Sequence, residues 1–380
     1  MSAVSAMSPS NGRLWAWLAL FALLGVFPLL PEPIGSKFHT ELLSKVMILS
    51  LFAASLQLLV GYTGLVSLGH AAFFGMGGYM VAMLAPQSEA GNGWWLLFAA
   101  VASAGVLAAL IGALVMRTKG VYFIMVTLAF TQLVFFVFHD TRIAGGSDGA
   151  YVYFKPDFAV FGWRWIDLEQ PRQFYWFVLG SLGVGLALMA QVLRSRFGHA
   201  LVGIKHNEQR MRAAGYPTVL YKLAAFILAG KLAGLAGFLY AAQYGFVTPE
   251  ILSWHQSGNA LVMIILGGLG SLGGAVAGAF VFVLLGEVLQ VLTKHWQLLL
   301  GVFIIASVMV APQGLAGLVG RLGGGRRPVD SPPASDAQAE IAAVAAPAFA
   351  AQASSPPPEA ATLLVQPVAP MASATVQVRS

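Results

Sequence analysis

The chain has no cysteine and very little charge: of 380 residues, Asp, Glu, Lys and Arg together make up only 9%. The first absence excludes a disulfide scaffold, a cysteine-ligated metal and thiol catalysis. The second, beside 58% apolar residues, excludes an ordinary soluble domain, in which about 25% of residues are charged. HExxH, Cys/His clusters and the G-x-x-x-x-G-K-[ST] phosphate loop are also missing, so a chain that depends on ATP must draw on a partner for it. The net charge of +6 is spread thinly beside long apolar runs. Contact with anionic lipid and orientation in a bilayer account for it better than nucleic acid does.

What is present is apolar sequence in lengths of about 20 residues, the length that crosses a hydrocarbon core of roughly 30 Å. Ten spans are expected: Leu14–Leu30, Leu42–Val60, Leu65–Ala85, Trp94–Met116, Gly120–Phe138, Phe174–Leu193, Val219–Ala242, Ser253–Leu269, Gly273–Leu292 and Trp296–Leu315. The run Asn259–Leu292, interrupted by GGLGSLGG, reads as two spans in preference to a re-entrant segment plus one. With the N-terminus inside, 13 Lys/Arg fall on inner segments and 7 on outer ones, with Lys231 left within a span. That bias sets the orientation, although Lys37 and Lys45 run against it. The N-terminal run has no small-residue cleavage site after it and reads as a retained anchor.

The transmembrane part is expected over 1–320. Residues 139–172, mixed in charge and rich in aromatics, form an outer segment lying at the lipid interface. Residues 194–218 form an inner amphipathic element carrying a short helix. Residues 321–380 are expected to be a disordered Pro/Ala-rich inner tail, the composition changing most sharply from 328 onward.

Two motifs look catalytic and are not. Gly268-Leu-Gly270-Ser-Leu-Gly273 spells a dinucleotide fingerprint, with Glu287 about 20 residues on, but it lies between two spans and not between a strand and a helix. Gly270, Gly274 and Gly278 instead form a double GxxxG spacing for helix packing. Gly145-Gly-Ser147-Asp-Gly149 matches a nucleophile elbow without its strand and reads as a turn. Ionisable or polar groups inside spans are costly and mark candidate pathway positions: His70, Lys231, Asn259 and Glu287. Lys231 has a structural alternative, snorkelling or pairing with Glu287; His70 has another, bonding to nearby backbone at a helix start. The stretches 64–82 and 267–282 share a small-residue entry followed by a bulkier helix, either as halves of a duplicated unit or as two closely packed interfaces.

GYTGLVSLGHAAFFGMGGYMVAML, KGVYFIMVTLAF, GGSDG, RFGHALVGIKHNEQRMRAAGYPTVLYKLAAFILAGKLAGLAGFLYA and LVMIILGGLGSLGGAVAGAFVFVLLGEVL occur in this order between about residues 40 and 319. Together they resemble the LivM-type permeases of branched-chain amino acid ABC importers. The resemblance implies an all-α polytopic inner-membrane subunit that catalyses no covalent chemistry and holds no cofactor of its own. It further implies a homologous LivH-type permease, two cytoplasmic ATPases that bind the ATP, and a periplasmic substrate-binding protein as partners. The solute is a branched-chain or related amino acid, with urea and amides as alternatives within the family. ATPase coupling then falls on GIKHNEQRMRAAGYPT, where Glu208, Arg210 and Arg212 lie on a short helix ending near Gly215. Asn259 stands where many members carry a carboxylate, and Lys231 where the family carries a small residue. The rival class is a self-sufficient secondary transporter or channel in which Lys231 and Glu287 form a proton or ion relay.

Overall fold

The computed structural model describes residues 20–29, 36–160, 163–166, 168–310, 314, 315 and 317. The tail expected over 321–380, and most of the first half of the first expected span, lie outside them. Helices dominate. They are α1 (Leu20–Leu29), α2 (Lys37–Gln57), α3 (His70–Leu84), α4 (Gly93–Val115), α5 (Val121–Asp140), α6 (Pro171–Arg194), α7 (Arg196–His206), α8 (Glu208–Ala213), α9 (Thr218–Tyr244), α10 (Trp254–Gly267), α11 (Leu272–Leu292) and α12 (Trp296–Val310). A π-helical turn, Leu58–Thr63, prolongs α2. Among the described residues six helices are long and apolar enough to cross a membrane: α2 with its π turn, α4, α5, α6, α9 and α11. Each of the ten expected spans falls on a helix, but α1, α3, α10 and α12 are shorter than a full crossing over their described residues.

The ends of these helices follow local chemistry. Asn92 Oδ1 accepts from the amides of Trp94 and Trp95 and starts α4, Pro171 occupies the first turn of α6, and Ser271 Oγ accepts from Gly274 N at the start of α11. Each either supplies an acceptor for, or removes, an amide that the first helical turn leaves without a partner. Gly64, at φ +74°, ends the π turn in the left-handed conformation that glycine adopts without a Cβ penalty.

α2 and α9 form the centre. α9 packs chiefly against α3 and α4, and α2 against α11, α6 and α9. Close approach rests on small residues: Gly77 of α3 lies against the Gly234 backbone, Gly237 of α9 against the Phe74 carbonyl, and Gly230 and Gly234 against Ala108 and Ala104 of α4. In a bilayer the hydrophobic effect does not drive helices together, so such contacts provide much of the association.

Two expectations are corrected in detail. The third expected span begins at Leu65, whereas α3 begins at His70 and residues 64–69 are not helical. The three glycines of the double GxxxG do not share one stripe: Gly270 lies in the connection at φ +87°, while Gly274 and Gly278 of α11 pack against Gly267 and Met263 of α10.

The segment 139–172 carries two short antiparallel pairings, β2 (Phe158–Val160) with β3 (Trp163–Ile166), and β1 (Ala150–Tyr151) with β4 (Phe246–Val247) beyond α9. Tyr151 and Tyr153 are exposed, as an interfacial segment requires, but Phe158 is fully buried among Trp94, Phe177 and Phe238. Gly146–Asp148 is a single 3-10 turn, so no nucleophile elbow forms.

Candidate functional site

Two places combine polar side chains with departures from regular helix. The first is inside the bundle, where α3 starts late. Its first residue, His70, is fully buried; the ring Nε2 lies 2.8 Å from Ser55 Oγ of α2, and the ring stacks on Phe52. Ala71 N donates to Ser257 Oγ of α10 at 2.8 Å. The non-helical backbone before it is held by α5: Leu68 N donates to Thr127 Oγ1 and Thr131 Oγ1 donates to the Leu68 carbonyl, both at 3.3 Å. Non-helical backbone at membrane depth is tolerated only where protein or a cavity satisfies its polar groups, and here Thr127 and Thr131 of α5 do so for Leu68 and Ser67 Oγ does so for the Gly69 amide. His70 Nδ1 has no hydrogen-bond partner among the described residues.

This centre continues along α2 toward its π turn. Gln57 Nε2 donates to the carbonyls of Gly268 and Ser271, at 3.2 and 3.3 Å, tying α2 to the α10–α11 connection. Gly61 of the π turn faces the Gly270 amide so closely that a Cβ there stands 3.0 Å from it.

The second place is the expected inner element, which contains two helices where the sequence suggested one. Ser195 Oγ accepts from Gly198 N to start α7. Asn207 ends α7 and begins α8, its Oδ1 accepting from Arg210 N at 2.9 Å. α8 is then clasped to α9 by Glu208. Its carboxylate accepts from Arg212 Nη2 at 2.5 Å, Lys222 Nζ at 2.7 Å and Thr218 Oγ1 at 3.1 Å. Burial alone raises the Glu208 pKa, but the hydrogen bond and charge of Lys222, with the bonds from Arg212 and Thr218, bring it down to about 2. Gly215, at φ +85°, turns the chain out of α8, where any other residue is strained. From α7, Lys205 Nζ donates to the Gly61 carbonyl at 2.7 Å, joining this element to the π turn and so to the bundle interior.

The sequence-derived residues thus separate. Glu208, Arg212 and Gly215 share the clasp; Arg210 is exposed beside it. His70 lies in the interior polar centre. Asn259 is on α10, two residues from Ser257, and is exposed. Glu287 does not meet Lys231: its carboxylate is 2.5 Å from Lys45 Nζ of α2, so neither the Lys231–Glu287 pairing nor the relay of the rival reading forms. Sequence reading missed Ser55, Gln57, Thr127, Thr131, Ser257 and Lys205. Their only signal was polarity inside or beside an apolar run, and their partners are up to 214 positions away.

Among the described residues no group of three or more His, Cys, Asp or Glu is placed to hold a metal ion. The arrangement offers packed, hydrogen-bonded polar groups at a helix break, with His70 Nδ1 and Gln57 Oε1 left without a partner among the described residues, connected by Gln57 and Lys205 to a charged element outside the bundle.

The profile of one protein family, described as "Branched-chain amino acid transport system / permease component", matches residues 39–309. The high-affinity branched-chain amino acid transport system permease protein LivM of Salmonella typhimurium is 29% identical over 319 residues, covering 78% of this chain and 74% of that protein. LivM of Escherichia coli is 28% identical over 303 residues, covering 74% and 70%. The autoinducer 2 import system permease protein LsrC of Yersinia pestis is 30% identical over 172 residues, covering 39% and 47%. No solved structure matches the chain.

Proposed function

This chain belongs to the branched-chain amino acid transport system permease family, and from that premise we propose that it is the membrane-spanning subunit of an ATP-driven importer for branched-chain or related amino acids. It crosses the inner membrane ten times, with both termini and the α7–α8 element in the cytoplasm and residues 139–172 outside. It works beside a homologous permease, two ATPase subunits that bind and hydrolyse the ATP, and a periplasmic binding protein that delivers the solute. It holds no cofactor. Residues beyond Arg327 are dispensable for assembly.

The observation that carries this reading, given the family, is the linkage of α7–α8 to both α9 and the π turn. ATP binding in the partner subunits displaces the α7–α8 element. Because Glu208 fastens α8 to α9 and Lys205 fastens α7 to Gly61, the displacement reaches α9 and the late-starting α3 together. Alternation between outward- and inward-open states then follows from two packed arrangements of the bundle. Glu208 acts as a positioning residue here: its acceptor capacity is used within the chain, while Arg210 offers the exposed charge to a partner.

The test is uptake of labelled leucine into proteoliposomes holding the chain with the subunits encoded beside it, with and without ATP and the binding protein, and with urea and acetamide as competitors. Uptake that needs ATP and the binding protein, and that isoleucine or valine suppresses, is expected. Uptake by the chain alone down an ion gradient contradicts the proposal and restores the self-sufficient transporter. Suppression by urea or acetamide alone moves the solute assignment to that class.

A further inference from the structure

Lys231 is the fourteenth of the 27 residues of α9, thirteen from either end. At 1.5 Å per residue that is about 20 Å of helix on each side, so its Cα sits near the bilayer midplane. Its stem crosses Gly105 of α4, where a Cβ lies 2.8 Å from Cε and 2.9 Å from Cγ, and the residue is exposed on the surface of the chain. No ion pair or hydrogen bond to Lys231 forms among the described residues. Snorkelling does not rescue it, because a stem of about 6 Å does not span the roughly 15 Å to an interface. An ammonium left in hydrocarbon there is expensive, and such groups face protein or water.

The surroundings distinguish between protein and water. Three and four residues away on α9 the partly exposed residues are Ile227, Leu228 and Leu235; around Gly105 on α4 they are Val101, Ala102 and Ala109. An aqueous path needs polar groups along its length, and this surface offers one cation set in apolar and small residues. Such a face suits close approach of another helix. We propose that the α4–α9 face around Lys231 is covered by a transmembrane helix of a different chain that places one carboxylate opposite the ammonium. A second copy of this chain does not fit. Among the described residues the carboxylates of its spanning helices are Glu41 beside Lys37, Asp140 beside His139 at the end of α5, and Glu287 on Lys45. The inference rests on the proposed partner permease and adds where it docks and by what chemistry.

The absence of cysteine allows single labels. Nitroxides at Ala102→Cys, Ala109→Cys and Leu228→Cys are read by collision with oxygen, which partitions into lipid, and with NiEDDA, which stays in water. This is done in the chain alone and in the complex with its cognate subunits, alongside recovery of the complex for Lys231→Glu and Lys231→Arg and ATP-driven leucine uptake by the unlabelled complex. The expected result is oxygen exposure in the chain alone and protection from both probes in the complex. Lys231→Glu, which opposes like charges, lowers recovery of the complex by about tenfold or more, with membrane level and melting temperature of the chain alone unchanged, while Lys231→Arg restores recovery. Labels in the complex that stay open to oxygen, or become open to NiEDDA, overturn the inference, as does recovery of the Lys231→Glu complex at the wild-type level. ATP-driven uptake with such exposed labels sinks the interface alone; uptake independent of ATP sinks the functional reading, and the partner subunit with it.

Discussion

Lys222 and Lys231 stand on the same helix, about two and a half turns apart, and the chain treats them differently. Lys222 lies near the N-terminal end of α9, where α8 folds back and brings Glu208 to 2.7 Å. Lys231 lies at the middle of α9, where its stem crosses Gly105 of α4 and no carboxylate pairs with it among the described residues. A charge close to the membrane surface is satisfied by the chain's own extramembrane segment because that segment can carry acidic residues at little cost. A charge at the midplane needs protein or water beside it, and no described helix of this chain supplies a carboxylate to it. On the proposed reading the first lysine serves internal mechanics and the second assembly.

The strongest way to break this comparison is Glu208→Lys. It places a third cation between Arg212 and Lys222 and removes the shared acceptor. Losing the partner of a buried charge costs about 2–5 kcal/mol. With Arg212 48% exposed and Glu208 20%, screening brings the expected cost to about 1–2 kcal/mol. Solute-stimulated ATP hydrolysis in the reconstituted complex is expected to fall severalfold while docking of the binding protein survives; unchanged hydrolysis and transport mark the clasp as idle.

Lys222→Met sharpens the same comparison with a smaller effect. Glu208 keeps Arg212 and Thr218, so a partial loss of stimulated hydrolysis is expected, less than for Glu208→Lys. A loss as large as that of Glu208→Lys shows Lys222 to be the main anchor of α8. On the other side, Gly105→Leu pushes the flexible Lys231 stem off α4 without meeting backbone. Recovery of the complex is expected to drop, with the chain's own melting temperature little changed; a large fall in that temperature instead assigns Gly105 to the internal packing.

The smallest expected effect is that of pH. The Glu208 carboxyl is held at about 2, below its ordinary value of 4.5. A group whose pKa is lowered on folding contributes stability above its unfolded pKa and loses that contribution as pH falls toward the folded one. The clasp is therefore expected to stay intact between pH 5 and 8, with no step in coupling efficiency across that range. A titration of coupling near pH 6 that Glu208→Gln abolishes contradicts it.

How much was legible in advance varies with the range of the interactions. The expected spans at 94–116, 174–193 and 219–242 lie on α4, α6 and α9 with ends displaced by only a few residues, because apolar length alone defines a helix in lipid. The late start of α3 was not legible: Leu65 and Val66 continue the apolar run, and it is Thr127 and Thr131 of the distant α5 that satisfy the non-helical backbone at Leu68, while Ser257 of α10 takes the first-turn amide of Ala71. The two-helix inner element was missed because Asn207 both ends one helix and caps the next.

By itself the sequence determined that this is a polytopic helical membrane protein without cysteine chemistry or a phosphate loop, and it placed the charged element before α9. Those properties follow from composition, apolar run length and local capping, each of which acts over a few neighbouring residues. Which polar groups meet was decided only by the tertiary structure. Glu287 took Lys45, 242 positions away, and not Lys231; Glu208 turned inward to Lys222; His70 found Ser55 beneath the broken start of α3. In a medium without water a buried polar group must find its partner within the protein, and only the packing of distant helices determines which one lies within 3 Å.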